Sequence, residues 1–137
     1  MAKKITLEVV SPERHVLTEE VDFVALPAYE GECGILPGHT HMLVQLTVGE
    51  MRYKKEDHTE ILALSGGFAE IHPDKVEVFA ETAEISKEID SERARLSLER
   101  AKQELTKSAT PHDLAIAQAA LRRALIRLRV AEGLRKK

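Results

Sequence analysis

The chain has 137 residues, 43% apolar and 31% charged. That is room for one ordinary domain, or a small domain with an appendage, and too apolar for a disordered tail. Uninterrupted apolar runs stop at four residues, as at 61–64, which excludes a membrane-spanning helix, and the first residues lack the apolar stretch of a secretory signal. A single cysteine, Cys33, forms no internal disulfide, so the expected compartment is the reducing cytosol.

The net charge of −3 conceals an asymmetry. Residues 1–87 hold 8 Lys and Arg against 16 Asp and Glu, a net of −8, whereas residues 88–137 hold 12 against 7, a net of +5. All five aromatic residues and six of the seven glycines also lie in the first part. Aromatics and turn glycines suit sheets, and the Ala, Leu, Arg, Lys and Glu of the second part suit helices. Two units of opposite charge are expected, 1–87 and 88–137.

In chain order, Ile5, Leu7 and Val9 alternate with Thr6, Glu8 and Val10, the period of a half-buried strand. Residues 11–14 read as a turn. A second strand spans 21–26 and closes at Pro27. Residues 31–38, with three glycines and a proline, read as a shaped loop. Residues 42–48 suit a buried strand, and Gly49 leads into 51–53. A strand over 60–65 breaks at Gly66-Gly67 and resumes at 68–71. Residues 72–75 turn, and Val76, Val78 and Ala80 alternate again. Many short strands with regular turns predict an antiparallel β-sandwich or flattened barrel. Its acidic residues are read as a solvated face.

From 91 to 107 there is no Gly or Pro, and Ala94, Leu98, Ala101 and Leu105 form one helical stripe. Asp90 or Ser91 suits its N-cap. Residues 108–111 break the helix. Thr110 then suits an N-cap, Pro111 the first helical position and Asp113 the third. Leu114, Ala117, Leu121, Leu125, Leu128 and Ala131 form a second stripe, and Gly133 suits the position after the helix end. The short connection predicts an antiparallel two-helix hairpin. Stripes so rich in Ala bury little area, so the hairpin is expected to be marginal alone and able to exchange docking surfaces.

Motifs of nucleophilic, phosphate-loop and metalloprotease chemistry are absent, and the expectation is a chain that is not an enzyme. His39 and His41 are two apart, but a zinc site needs three or four ligands and only Cys33 is near in sequence, so no metal site is expected.

Three stretches in order carry a resemblance over about residues 5–132. They are Gly31-Glu32-Cys33-Gly34-Ile35-Leu36-Pro37-Gly38-His39; Leu64-Ser65-Gly66-Gly67-Phe68 with Glu70 and Pro73; and Arg127-Leu128-Arg129-Val130-Ala131-Glu132. The chain resembles the epsilon subunit of the bacterial rotary ATP synthase. The resemblance implies a β-sandwich of about ten strands followed by the helical hairpin. It implies a peripheral, central-stalk role at the cytoplasmic face of the cell membrane, with no insertion into the bilayer. Partners would be the gamma subunit and the c-subunit ring, the latter through Gly31, Glu32, Gly38 and His39. Alpha and beta would be met when the hairpin extends and inhibits ATP hydrolysis. Two positions depart from the family pattern: Cys33 stands where Leu is usual, and His41 where Pro is common.

Arg122, Arg123, Arg127 and Arg129 crowd the second helix. They suit a solvated face, an acidic segment of beta, or phosphate; an acidic chain with no stacking platform argues against nucleic acid. The resemblance adds support for phosphate. Ile89, Asp90, Arg93 and Ala94 match the Ile/Leu-Asp-x-x-Arg-Ala motif of epsilon subunits that bind ATP. Arg123 and Arg127 match their helix-two arginines, and Glu84 a further site carboxylate. ATP is therefore expected as a regulatory ligand, with magnesium not required. Asp90 remains equally suited to a plain N-cap. The alternative function is a free-standing ATP-binding sensor with no rotor role.

Overall fold

Alternation of apolar and polar side chains shapes the first strand of the computed structural model, which describes residues 3–133. In β1 (Ile5–Val10), Ile5, Leu7 and Val9 are fully buried while Thr6, Glu8 and Val10 are half-exposed. It pairs antiparallel with β2 (His15–Val21) and parallel with β7 (Lys75–Ala80). The β2 strand escaped the sequence reading because Glu19 and Glu20 mask its pattern, yet Leu17 and Val21 point into the core. It ends one side of the strand order β2-β1-β7-β6 (His58–Ile71)-β5 (Met42–Lys55)-β3 (Phe23–Ala28)-β4 (Gly31–Ile35), and charge suits such an edge.

The strand β3 (Phe23–Ala28) runs on through Pro27, where closure was expected. Pro27 falls in an irregular stretch of the β3–β5 ladder, between Ala25 and Ala28, the kind of place where a missing N–H is tolerated. The segment read as a shaped loop begins as a strand, β4 (Gly31–Ile35), paired with β3, so the loop proper is confined to 36–41.

Two 14-residue strands, β5 (Met42–Lys55) and β6 (His58–Ile71), form the spine of the unit. They pair from Met42 opposite Ile71 to Lys55 opposite His58, and the ladder skips Thr47 and Gly66 midway. The second half of β6 pairs with β7, whereas its first half pairs with β8 (Ala83–Ile85). The unit is thus a β-sandwich of eight strands rather than about ten. Gly49 and Gly66-Gly67 read as breaks in sequence, but β5 and β6 pass through them unbroken and each does the work of two short strands. The core joins Leu7, Leu26, Ile35, Leu46, Met51 and Leu62, all less than 2% exposed. Each such side chain contributes about 1.5–3 kcal/mol by leaving water.

The chain divides into two compact units, 1–85 and 86–137. The second opens with a 3-10 turn (Ser86–Glu88), followed by α1 (Ser91–Thr106) and α2 (Pro111–Gly133). Asp90 Oδ1 accepts hydrogen bonds from the Glu92 and Arg93 N–H groups, capping α1. Thr110 Oγ1 accepts from Asp113 N–H, with Pro111 as the first helical residue of α2. Ser86 Oγ donates to the Val130 carbonyl at 2.7 Å, which ties the 3-10 turn to the last turns of α2.

The buried stripe of α1 is Ala94, Leu98 and Ala101, with Leu105 half-buried. That of α2 differs from the expected one. Ala117, Ala124, Val130 and Ala131 are buried and Leu121 and Leu128 half-buried, whereas Leu114 and Leu125 are exposed. Residues 117, 121, 124, 128 and 131 form a seam of alternating four- and three-residue steps. Leu125 lies about 100° around the helix from Ala124, and Leu114 stands in the first turn beside the connection. Gly133 is the last residue of α2 rather than the residue after it. No helix among the described residues is long and apolar enough to cross a membrane.

Candidate functional site

The hairpin holds an open groove of ≈ 310 Å³ between α1 and α2. Its floor is Ala101, Ala120 and Ala124, and its walls carry Ser97, Arg100, Glu104, Arg123 and Arg127. The Ala-rich seam keeps the floor shallow, and i, i+4 spacing puts Arg123 and Arg127 on one face. Arg100 adds a third guanidinium that the sequence reading missed. It lies seven residues after Arg93, two turns along the same face of α1, and that spacing was the available signal. Three guanidinium forks around a small-residue floor suit a polyphosphate, since each can bind oxygens in pairs.

The four arginines of α2 separate by face. Arg123 and Arg127 line the groove, whereas Arg122 and Arg129 are exposed and share another face seven residues apart. Arg93 is exposed in the first turn of α1 beside its Asp90 cap, Ala94 is fully buried, and Ile89 is 5% exposed. Asp90 therefore performs the capping role. Glu84 lies half-buried on β8, opposite Ala63 of β6, within the sandwich unit.

A second surface lies on the sandwich. Gly31 and Glu32 begin β4 opposite Ala28 and Pro27, and Glu32 Oε1 accepts from the Arg52 guanidinium at 3.0 Å. Gly38, at φ +88°, donates its N–H to the Pro73 carbonyl at 2.7 Å. His39 Nδ1 lies 2.8 Å from the Thr40 carbonyl, whereas His41 meets His72. Around these residues Tyr29, Leu36 and Leu43 are 67%, 62% and 70% exposed. Of these apolar side chains, Leu36 alone is marked in the sequence, by its place between Gly34 and Gly38. Cys33 turns inward against the core, so its departure from Leu keeps an inward position, and burial raises its thiol pKa.

Comparison with known proteins decides the family. The description "ATP synthase, Delta/Epsilon chain, beta-sandwich domain" matches residues 4–86, and "ATP synthase, Delta/Epsilon chain, long alpha-helix domain" matches 87–132. The chain belongs to the epsilon-chain family of ATP synthases. It is 47% identical to the ATP synthase epsilon chain of Nitratidesulfovibrio vulgaris over 130 residues, 95% of this chain and 97% of the relative. It is 53% identical to that of Carboxydothermus hydrogenoformans over 107 residues, 78% of this chain and 80% of the relative. A chain in the Euglena gracilis mitochondrial ATP synthase structure (OSCP/F1/c-ring) superposes with a TM-score of 0.76 at 27% identity, over 87% of this chain and 76% of that one. One from the central stalk and c-ring of the Tetrahymena thermophila enzyme shares the fold, with a TM-score of 0.67 at 13% identity, over 96% of this chain and 99% of that one. As an epsilon chain it is a non-catalytic subunit of the F1 sector of the proton-driven synthase.

Proposed function

We propose that this epsilon chain is a central-stalk subunit, peripheral at the cytoplasmic face of the cell membrane, that couples rotor to catalytic head and restrains ATP hydrolysis. Gamma and the c ring are its sandwich-side partners. The exposed Tyr29 and Leu43, which line one depression with Gly31 and Glu32, and the exposed Leu36, two residues before Gly38, support this, because exposed apolar side chains grouped together mark a contact surface. The hairpin carries the regulation. ATP seated in the α1–α2 groove favours the closed hairpin without being hydrolysed, and magnesium is not required. When ATP is scarce the hairpin extends to meet alpha and beta.

The observation that carries this reading is the groove lined by Arg100, Arg123 and Arg127 between helices held together by little more than Ala and Leu. A ligand bridging the helices shifts the equilibrium by its preference for the closed form. Arg93 is one turn before Ser97 on the same face of α1, where it can reach a ligand that extends beyond the groove. Arg122 and Arg129, on the other face, are the natural complement to an acidic segment of beta.

The separation by face gives the test. In the assembled synthase at low ATP, Arg122→Ala with Arg129→Ala should raise hydrolysis several-fold while ATP binding to the isolated chain is unchanged. Hydrolysis equal to wild type would remove the charge-complementarity account.

A further inference from the structure

The sheet register gathers carboxylates on one face of the sandwich. Glu70 on β6 stands directly opposite Glu77 on β7, and Glu77 is in turn beside Glu8 on β1. Like charges directly opposed across strands destabilise a sheet, and the groups beside this row are His15, 3.9 Å from Glu8, with His72 and Lys75. His72, two residues beyond Glu70, places Nε2 3.1 Å from Glu70 Oε1 and 3.9 Å from Glu77 Oε1. One ligand atom from each of Glu70, His72 and Glu77 fits within a mutual separation of 4.8 Å. Two ligands of a tetrahedral zinc ion stand about 3.4 Å apart, which the two His72 distances bracket.

The other ring nitrogen is also engaged. His72 Nδ1 lies 3.2 Å from His41 Nδ1, with the rings edge-on, 5.1 Å apart and at 87°. When His72 Nδ1–H donates to His41, the Nε2 lone pair is aimed at two carboxylates. In that tautomer Nε2 is free to bind a metal, which is how a neighbouring acceptor orients a metal-ligating histidine. Lys75 Nζ, 3.7 Å from Glu77, brings one positive charge on a long side chain that is 41% exposed, so an ion can displace it.

We propose that Glu70, His72 and Glu77 form a divalent transition-metal site of the zinc type, with water completing the coordination and His41 holding the His72 ring. One imidazole with two carboxylates suits Zn2+, whereas Mg2+ prefers oxygen alone and keeps its waters. With side chains 48%, 26% and 25% exposed, the three residues are open to an incoming ion. The ion clips the end of β6 to the start of β7 across the turn whose Pro73 carbonyl holds Gly38. Its effect is to stiffen the loop bearing His39.

The test is calorimetric titration of the full, tag-free, chelator-stripped chain with Zn2+, with Mg2+ as the comparison and Co2+ absorption as a reporter of coordination. One Zn2+ should bind per chain, Mg2+ should give no heat, and Co2+ should develop visible bands of a four-coordinate site. His72→Gln and Glu77→Gln should each weaken Zn2+ binding by at least about tenfold, and His41→Ala by about tenfold. Cys33→Ala and His39→Ala should leave it unchanged. Glu77→Gln should also raise the Tm of the metal-free chain by relieving the opposed charges, which separates a lost ligand from a lost fold. Absence of Zn2+ binding, equal binding of Mg2+, binding unaltered in His72→Gln, or loss of binding in Cys33→Ala would overturn the proposal.

Discussion

Gly67 holds a backbone φ of +118°, and a Cβ placed on it would stand 2.1 Å from the Phe79 carbonyl oxygen. No rotamer change relieves a clash with backbone, so β6 and β7 would have to separate where they are hydrogen-bonded. Gly67→Ala should therefore destabilise the sandwich by more than about 3 kcal/mol, read as a lower midpoint in chemical denaturation. In sequence Gly66-Gly67 is indistinguishable from a turn, because a turn and a distorted strand ask for the same backbone freedom. Only the partner strand tells them apart.

Asp22 shows the same limit in its electrostatics. Its Oδ1 accepts from Lys4 Nζ at 2.6 Å and its Oδ2 from the Glu56 N–H at 2.7 Å. The Lys4 hydrogen bond, then that of Glu56, hold its carboxyl below the ordinary 3.8. A lowered acid contributes stability that is present above the unfolded value and lost as pH falls through the folded one. Asp22→Asn should thus lower Tm at pH 7 and converge with wild type well below pH 3.8; parallel Tm curves across that range would contradict this. The 18-residue and 34-residue separations of these partners hide the site from sequence.

Among the elements, the helices were the most legible. Asp90, Thr110 and Pro111 act at the positions their chemistry indicates, since caps are local and depend on neighbours within three residues. The strands were less so. Their patterns are short, β2 carries its charges outward at an edge, and Pro27 is tolerated only because the ladder is irregular there. The α2 stripe was misplaced by one residue at Leu125, because seam and flank differ only in what α1 presents. The Ser86 anchor was invisible for a different reason: the Val130 carbonyl lies 44 residues away. Val130 is among the last four residues of α2, whose carbonyls need partners from outside the helix. Ser86→Ala should cost about 1–3 kcal/mol of hairpin stability, because it leaves a buried carbonyl unpaired. Amide exchange in the last turns of α2 should quicken, whereas β6 amides should keep their protection. Unchanged exchange in α2 would remove the anchor from the account.

Across the whole molecule, composition had already separated an acidic, aromatic, glycine-bearing part from a basic, alanine-rich one, and each proves to have its own core. That Arg123 and Arg127 share one face of α2, the face that lines the groove, was readable from their spacing. Arg100 was not singled out, because one arginine among the mixed charges of α1 looks like solvated surface until α2 lies beside it. The Ala seam gives the regulatory idea its physical basis. Helices joined by a few small contacts are readily biased by a ligand that touches both.

Calorimetric titration of the purified chain with ATP, without magnesium, tests this centre of the account most directly. One ATP should bind without hydrolysis. A charge-assisted contact is worth about 1.5–3 kcal/mol, so Arg123→Ala and Arg127→Ala should each weaken binding by about one to two orders of magnitude, with the sandwich still folded. No binding at millimolar ATP by the folded wild-type chain, or wild-type affinity in both variants, would contradict the account.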